Sequence, residues 1–121
     1  MKLKIILNIT FLIFCFSANA QVKKESIIGK WKLVGLIDKE ISENERLKQY
    51  HFTNDSLIYY NVKNIVRGKY LLNEKNGNID WFISNPNQTL TLTVEPQNNG
   101  QLYLWMTKGV TTIGILEKVK E

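Results

Sequence analysis

The sequence predicts an all-β protein, an eight-stranded antiparallel up-and-down barrel that follows an N-terminal signal peptide. Three observations carry this. From Gly29 onward, short runs of alternating apolar and polar residues recur at the spacing of a sandwich or barrel. The gaps between them hold Asn54-Asp55, Asn76-Gly77, Asn85-Pro86-Asn87, Asn98-Asn99-Gly100 and Lys108-Gly109, and Asn and Gly accept the positive φ of tight turns. Short connections between successive strands favour a meander, and closing it removes the edges that would otherwise recruit another chain.

The first segment, 1–20, has the three parts of a secretory leader: Lys2 and Lys4, an apolar run over 5–16, and the small-residue site Ala18-Asn19-Ala20. The run is too short for a stable membrane span, which needs roughly 20 apolar residues, and Asn8 interrupts it. Cleavage after Ala20 is expected, giving an exported chain, periplasmic or secreted, with no stable membrane anchor. Cys15 raises the alternative of lipidation, but Phe14 stands where that signal needs a small residue, and Ala18-x-Ala20 lies beyond it. With Cys15 removed, no thiol remains, so disulfides, thiolate catalysis and cysteine metal sites are not expected even in a compartment that permits them.

Removing the leader leaves 101 of the 121 residues, enough for one small domain. It also takes Lys2 and Lys4 from the 16 lysines and arginines, so 14 cations face 11 carboxylates and the net charge falls from +5 to +3. The remaining lysines alternate with acids, as at Lys39-Glu40, Glu74-Lys75 and Glu117-Lys118. A nucleic-acid partner would want a basic stripe, and none is expected. Richness in Asn, Lys and Ile points to an AT-rich bacterial genome.

Within the mature chain, 21–28 is a polar lead and 29–121 the barrel. Strands are expected at 29–38, 49–53, 56–61, 65–72, 78–84, 88–94, 101–107 and 111–119. The segment 39–48 breaks the rhythm: it is charged, and Ser42-Glu43-Asn44-Glu45 matches a helix capping box. It is expected as a polar connector or a turn or two of helix, with a lid over the barrel mouth as its functional reading.

Alternation separates the two faces of each strand. Lys30 and Lys32 flank Trp31 and direct it inward, and Thr89, Thr91 and Thr93 face out against Leu90, Leu92 and Val94. The inward set runs through Ile37 at the end of the first strand. Its candidate ligand-contacting members are Trp31, Leu33, Tyr50, Phe52, Tyr70, Trp81, Leu92 and Leu104. On the outer face, Phe82, Thr91, Tyr103 and Trp105 are expected to form one patch, a candidate partner or dimer surface.

The opening Ile27-Ile28-Gly29-Lys30-Trp31-Lys32-Leu33-Val34 resembles the Gly-x-Trp first strand of lipocalin-like proteins. Arg67-Gly68-Lys69-Tyr70-Leu71-Leu72 and Ile115-Leu116-Glu117-Lys118-Val119 resemble short bacterial lipocalin-like domains, so the similarity spans nearly all of the mature chain. It implies a barrel sealed at one end by the tryptophan and open at the other to a small apolar molecule. In that family the tryptophan packs under a basic residue of the last strand; here Lys118 would take the place, with a weaker fit than arginine. The strands are also shorter, and eight strands enclose either packed side chains or one small ligand.

Chemistry-bearing residues are sparse. His51 is the single histidine, and its place between Tyr50 and Phe52 turns it outward. Asp38, Glu40, Glu43, Glu45, Asp55 and Asp80 fall in loops or at outward positions, and Gly35, Gly68 and Gly114 fall within strands rather than in phosphate-cradling loops. No enzymatic activity, metal or cofactor is expected. The leading expectation is a binding protein for a small hydrophobic molecule held inside the barrel. The alternative is an exported protein-interaction or protease-inhibitor module with a filled barrel. Small periplasmic metalloprotease inhibitors resemble that layout, with a mobile lead before a Gly-x-Trp barrel, although they carry a disulfide that this chain lacks.

Overall fold

A computed structural model describes residues 21–84, 87–107 and 112–120. The leader with its Cys15 lies outside them, as do the turn residues Asn85, Pro86, Lys108 and Gly109. Eight strands follow one another: β1 (Gly29–Leu36), β2 (Gln49–Phe52), β3 (Ser56–Tyr60), β4 (Ile65–Asn73), β5 (Asn78–Ser84), β6 (Asn87–Pro96), β7 (Leu102–Met106) and β8 (Gly114–Lys118). Each pairs antiparallel with the next, and β8 returns to β1, closing the barrel in up-and-down order. This architecture is consistent with a calycin-like fold.

The helix α1 (Glu43–Arg46) forms where the capping box was expected. The Glu45 N–H donates to Ser42 Oγ at 3.2 Å, and the Ser42 N–H donates to Glu45 Oε1 at 3.2 Å. The two bonds satisfy donors that a helix start would otherwise leave open. Among the described residues no helix is long and apolar enough to cross a membrane.

Two positions show why this chain closes. At Gly68 an added Cβ would lie 2.0 Å from the Phe82 carbonyl oxygen, so β4 can lie this close to β5 only without a side chain. Gly77 takes φ +77° in the β4–β5 turn, and its carbonyl accepts from the Val94 N–H at 2.9 Å. A side chain there would be strained by the backbone and would strike the Val94 oxygen at 2.3 Å.

One strand departs from simple alternation. Leu33 pairs with Leu116 and Gly35 with Ile115, so β1 carries one extra residue, a bulge. A bulge reverses which residues face in. Leu36, not Ile37, therefore packs on the core and lines the interior at the end of β1, and Gly35 turns outward beside Ile115. The expectation of an inward Ile37 fails because alternation cannot register an inserted residue.

The core lies toward one end of the barrel. Ile27, Phe52, Leu57, Ile79 and Leu102 are fully buried there, with Trp31 at 4% exposure. The lead is part of this seal. Val22 and Ile27 are buried, the Val22 N–H donates to the Glu74 carbonyl at 2.7 Å, and a 3-10 turn at Lys24–Ser26 carries the chain into β1. The polar composition of residues 21–28 hides two apolar anchors spaced to plug the barrel, and the lead is docked rather than free.

Candidate functional site

The closed end is a finished piece of packing. Trp31 Nε1 donates to the Ile27 carbonyl at 2.8 Å, and the Tyr70 hydroxyl donates to the Thr53 carbonyl at 2.7 Å. Phe52 and Tyr70 meet edge to face at 5.6 Å. Lys118 Nζ sits 5.9 Å from the Trp31 ring centre, the basic partner expected of the last strand, and Lys24 Nζ sits 5.5 Å from the Tyr70 ring. No buried side-chain polar atom among the described residues lacks a partner. The barrel interior is packed with side chains at this end.

Toward the other end the interior is not filled. A cavity of about 310 Å³ opens between the ends of β1, β3 and β7 and the starts of β2 and β8. Its wall is apolar and aromatic: Leu33, Leu36, Tyr50, Tyr59, Trp81, Leu92, Leu104 and Leu116. Charge enters only at the mouth, where the 37–48 segment contributes Lys39, Glu45 and Lys48. That segment leaves β1 through Asp38, which takes a left-handed φ of +63°, and rejoins the barrel where the Lys48 carbonyl accepts from the Leu33 N–H at 3.1 Å. The expected lid position is thus occupied by the capped helix.

The polar groups of the wall differ in how far they are committed. Trp81 Nε1 donates to the Leu57 carbonyl at 3.1 Å, and the Tyr59 hydroxyl accepts from Asn61 Nδ2 at 3.4 Å. Tyr50 stacks at a tilt on Tyr59, with ring centres 5.1 Å apart, but its hydroxyl bonds to none of the described residues. Since no enclosed polar atom is unpaired, that hydroxyl faces open space in the cavity region. Burial, and then the neighbouring Tyr59, push its phenol well above the usual tyrosine range, so it stands as a neutral donor. Glu45 is held below the usual carboxylate range chiefly by its bond from the Ser42 backbone, which outweighs the opposing desolvation, with Lys48, the Ser42 hydroxyl and Lys39 adding smaller effects.

The structure sorts the sequence-predicted residues into two groups. Leu33, Tyr50, Trp81, Leu92 and Leu104 line the cavity. Trp31, Phe52 and Tyr70 point inward as expected but belong to the sealed end, where they pack on one another and on the lead. Missing from the prediction were Tyr59, Leu36, Leu116 and the three charged residues of the mouth. Tyr59 was legible, since Leu57 and Tyr59 alternate with Ser56 and Ile58; Leu36 was hidden by the bulge.

The proposed outer patch does not come together. Trp105 pairs with Thr93 and Tyr103 with Glu95, whereas Phe82 pairs with Thr89, further along β6. Asp80 and Thr91 pair between them, and Thr91 Oγ1 bonds Asp80 Oδ1 at 3.3 Å. Thr93 bonds both Asn78 and Thr107, so a polar band divides Phe82 from Tyr103 and Trp105. Trp105 also borders the cavity mouth. Sequence alternation assigned the face correctly but not the register that separates these side chains along it.

His51 pairs with Lys30 and Ile58 in the sheet and does not line the cavity. Among the described residues no three His, Cys, Asp or Glu side chains gather as metal ligands would. No family model matches the chain, and neither a curated protein nor a solved structure matches it.

Proposed function

We propose that this chain is an exported, lipocalin-like binding protein that holds one small hydrophobic molecule in the open end of its barrel. The observation that carries the proposal is the cavity of about 310 Å³, apolar within and open at one end. Ligand sites are concave, largely preformed and mostly apolar, with a few placed polar groups, and Tyr50 supplies such a group here. An apolar protein cavity of roughly 150 Å³ takes up one benzene. On that scale this space suits a molecule of about a dozen non-hydrogen atoms. The leader over 1–20 makes export part of the same reading, and the composition favours a bacterial source.

The alternative of a protein-interaction or protease-inhibitor module is less favoured in its inhibitor form, since Val22 and Ile27 of the lead are buried. Native mass spectrometry of protein purified from its own host tests the binding proposal. A co-purified mass is expected, released by organic extraction. Leu104→Phe, which puts a larger side chain into the cavity, is expected to abolish it at little cost in stability. A ligand-free spectrum, together with no uptake of small aromatic probes, would end the proposal.

A further inference from the structure

The mouth of the cavity is charged asymmetrically, and this bears on what the ligand carries at its outer end. Three charged residues line it, Lys39, Glu45 and Lys48, all on the one segment that bridges β1 and β2. The single carboxylate is already committed: Glu45 Oε1 accepts from the Ser42 N–H at 3.2 Å and from Ser42 Oγ at 3.3 Å. The two ammonium groups have no such commitment, and neither hydrogen-bonds a protein group among the described residues. Both lysines line the same opening as Glu45. The backbone of Lys48 is fixed by its bond from Leu33, which holds this cation beside the opening.

We infer that the ligand is a small organic acid, its apolar body in the barrel and its carboxylate at the mouth between Lys39 and Lys48. This rests on the cavity being a ligand site and adds the chemical class of the occupant. The physical reason is the division of the wall. Burying an ionised group among Leu33, Trp81, Leu92 and Leu104 would be costly, so a charged head must stay at the mouth. There it meets two cations with donors to spare and one carboxylate whose Oε1 is turned into its own helix cap. A cationic head meets the same two lysines and is repelled. A neutral head of the same shape gains neither charge-assisted bond.

Isothermal titration calorimetry with three probes of one body decides the matter: 2-naphthoate, 2-naphthamide and 2-naphthylmethylammonium. The carboxylate is expected to bind about tenfold more tightly than the amide, and the ammonium probe most weakly. Lys39→Gln with Lys48→Gln should erase the preference while leaving amide binding and the unfolding midpoint unchanged, because neither side chain bonds the described protein. Glu45→Gln keeps a residue able to complete the capping box and removes the opposing charge, so it should tighten naphthoate alone. Equal affinity for all three probes in the unaltered protein would overturn the acid assignment and leave the cavity reading standing. Binding of none of them would overturn both.

Discussion

At the closed end of the barrel every buried hydrogen-bonding side chain has a partner, whereas at the open end the Tyr50 hydroxyl, Lys39 and Lys48 make no side-chain hydrogen bond among the described residues. The same eight strands run through both ends, so the difference comes from what is laid across the openings. One end receives Val22 and Ile27, with Lys118 over the Trp31 ring and Lys24 over the Tyr70 ring. The other receives a charged segment that crosses the mouth without filling it. Stability is concentrated where the apolar lead enters, and that leaves the opposite end free to remain hollow. In a barrel this small, packing both ends would remove the cavity.

The largest effect should come from breaking the sealed end. Trp31→Ala removes the central ring, its bond to Ile27 and the platform under Lys118. A loss of about 3–5 kcal/mol is expected, a large part of the roughly 5–15 kcal/mol that holds a domain together. Urea unfolding measures it, and a loss below 1 kcal/mol, read as order of magnitude, would mean that the tryptophan does not anchor the seal.

A pair of tyrosines sharpens the contrast. Tyr70→Phe deletes a donor that the Thr53 carbonyl uses, and should cost about 1 kcal/mol. Tyr50→Phe deletes a hydroxyl with no hydrogen-bond partner among the described residues, and should change stability by less than about 0.5 kcal/mol. Equal costs for the two would mean that the open end is as fully bonded as the closed one. Lys118→Ala is expected to cost about 0.5 kcal/mol through the lost contact with the Trp31 ring. That difference is measurable as a shift in urea midpoint at constant slope.

The smallest effect is confined to alkaline solution. Tyr50 and Tyr70 are both raised by burial, with Tyr59 and Asp55 as the respective secondary causes. Their phenols in the unfolded chain lose protons first, near the ordinary value of about 10. The unfolded state then binds fewer protons than the folded one, so stability is independent of these groups below about pH 10 and falls as pH rises through the raised values. Tyr50→Phe should flatten that decline more than Tyr70→Phe, since Tyr50 carries the larger shift. Identical slopes in both variants and the parent would show that neither phenol is coupled to unfolding.

Much of the fold was legible before any coordinates. Trp31 was placed inward by its flanking lysines, the Ser42–Glu45 capping box formed as written, and Lys118 reached Trp31. Each depends on neighbours a few residues away or on one strand pairing. The candidate site was legible in half. Leu33, Tyr50, Trp81, Leu92 and Leu104 were identified from alternation, but alternation identifies every inward residue alike and could not tell these from Trp31, Phe52 and Tyr70. Likewise Phe82 was put on the correct face, while its distance from Trp105 along that face depended on pairing offsets.

By itself the sequence determined the number of strands, their order, most of their inward faces and the helix that interrupts them. Period-two alternation, turn residues and capping boxes are local signals, and local signals survive without a partner in view. Only the tertiary structure decided which end is packed and which is hollow. That outcome depends on the bulge at Gly35 turning Leu36 inward, on Val22 and Ile27 reaching back under the barrel, and on the 37–48 segment carrying Lys39, Glu45 and Lys48 to the mouth. A void is the space left when all of these distant segments have been placed, so no single stretch of sequence contains it.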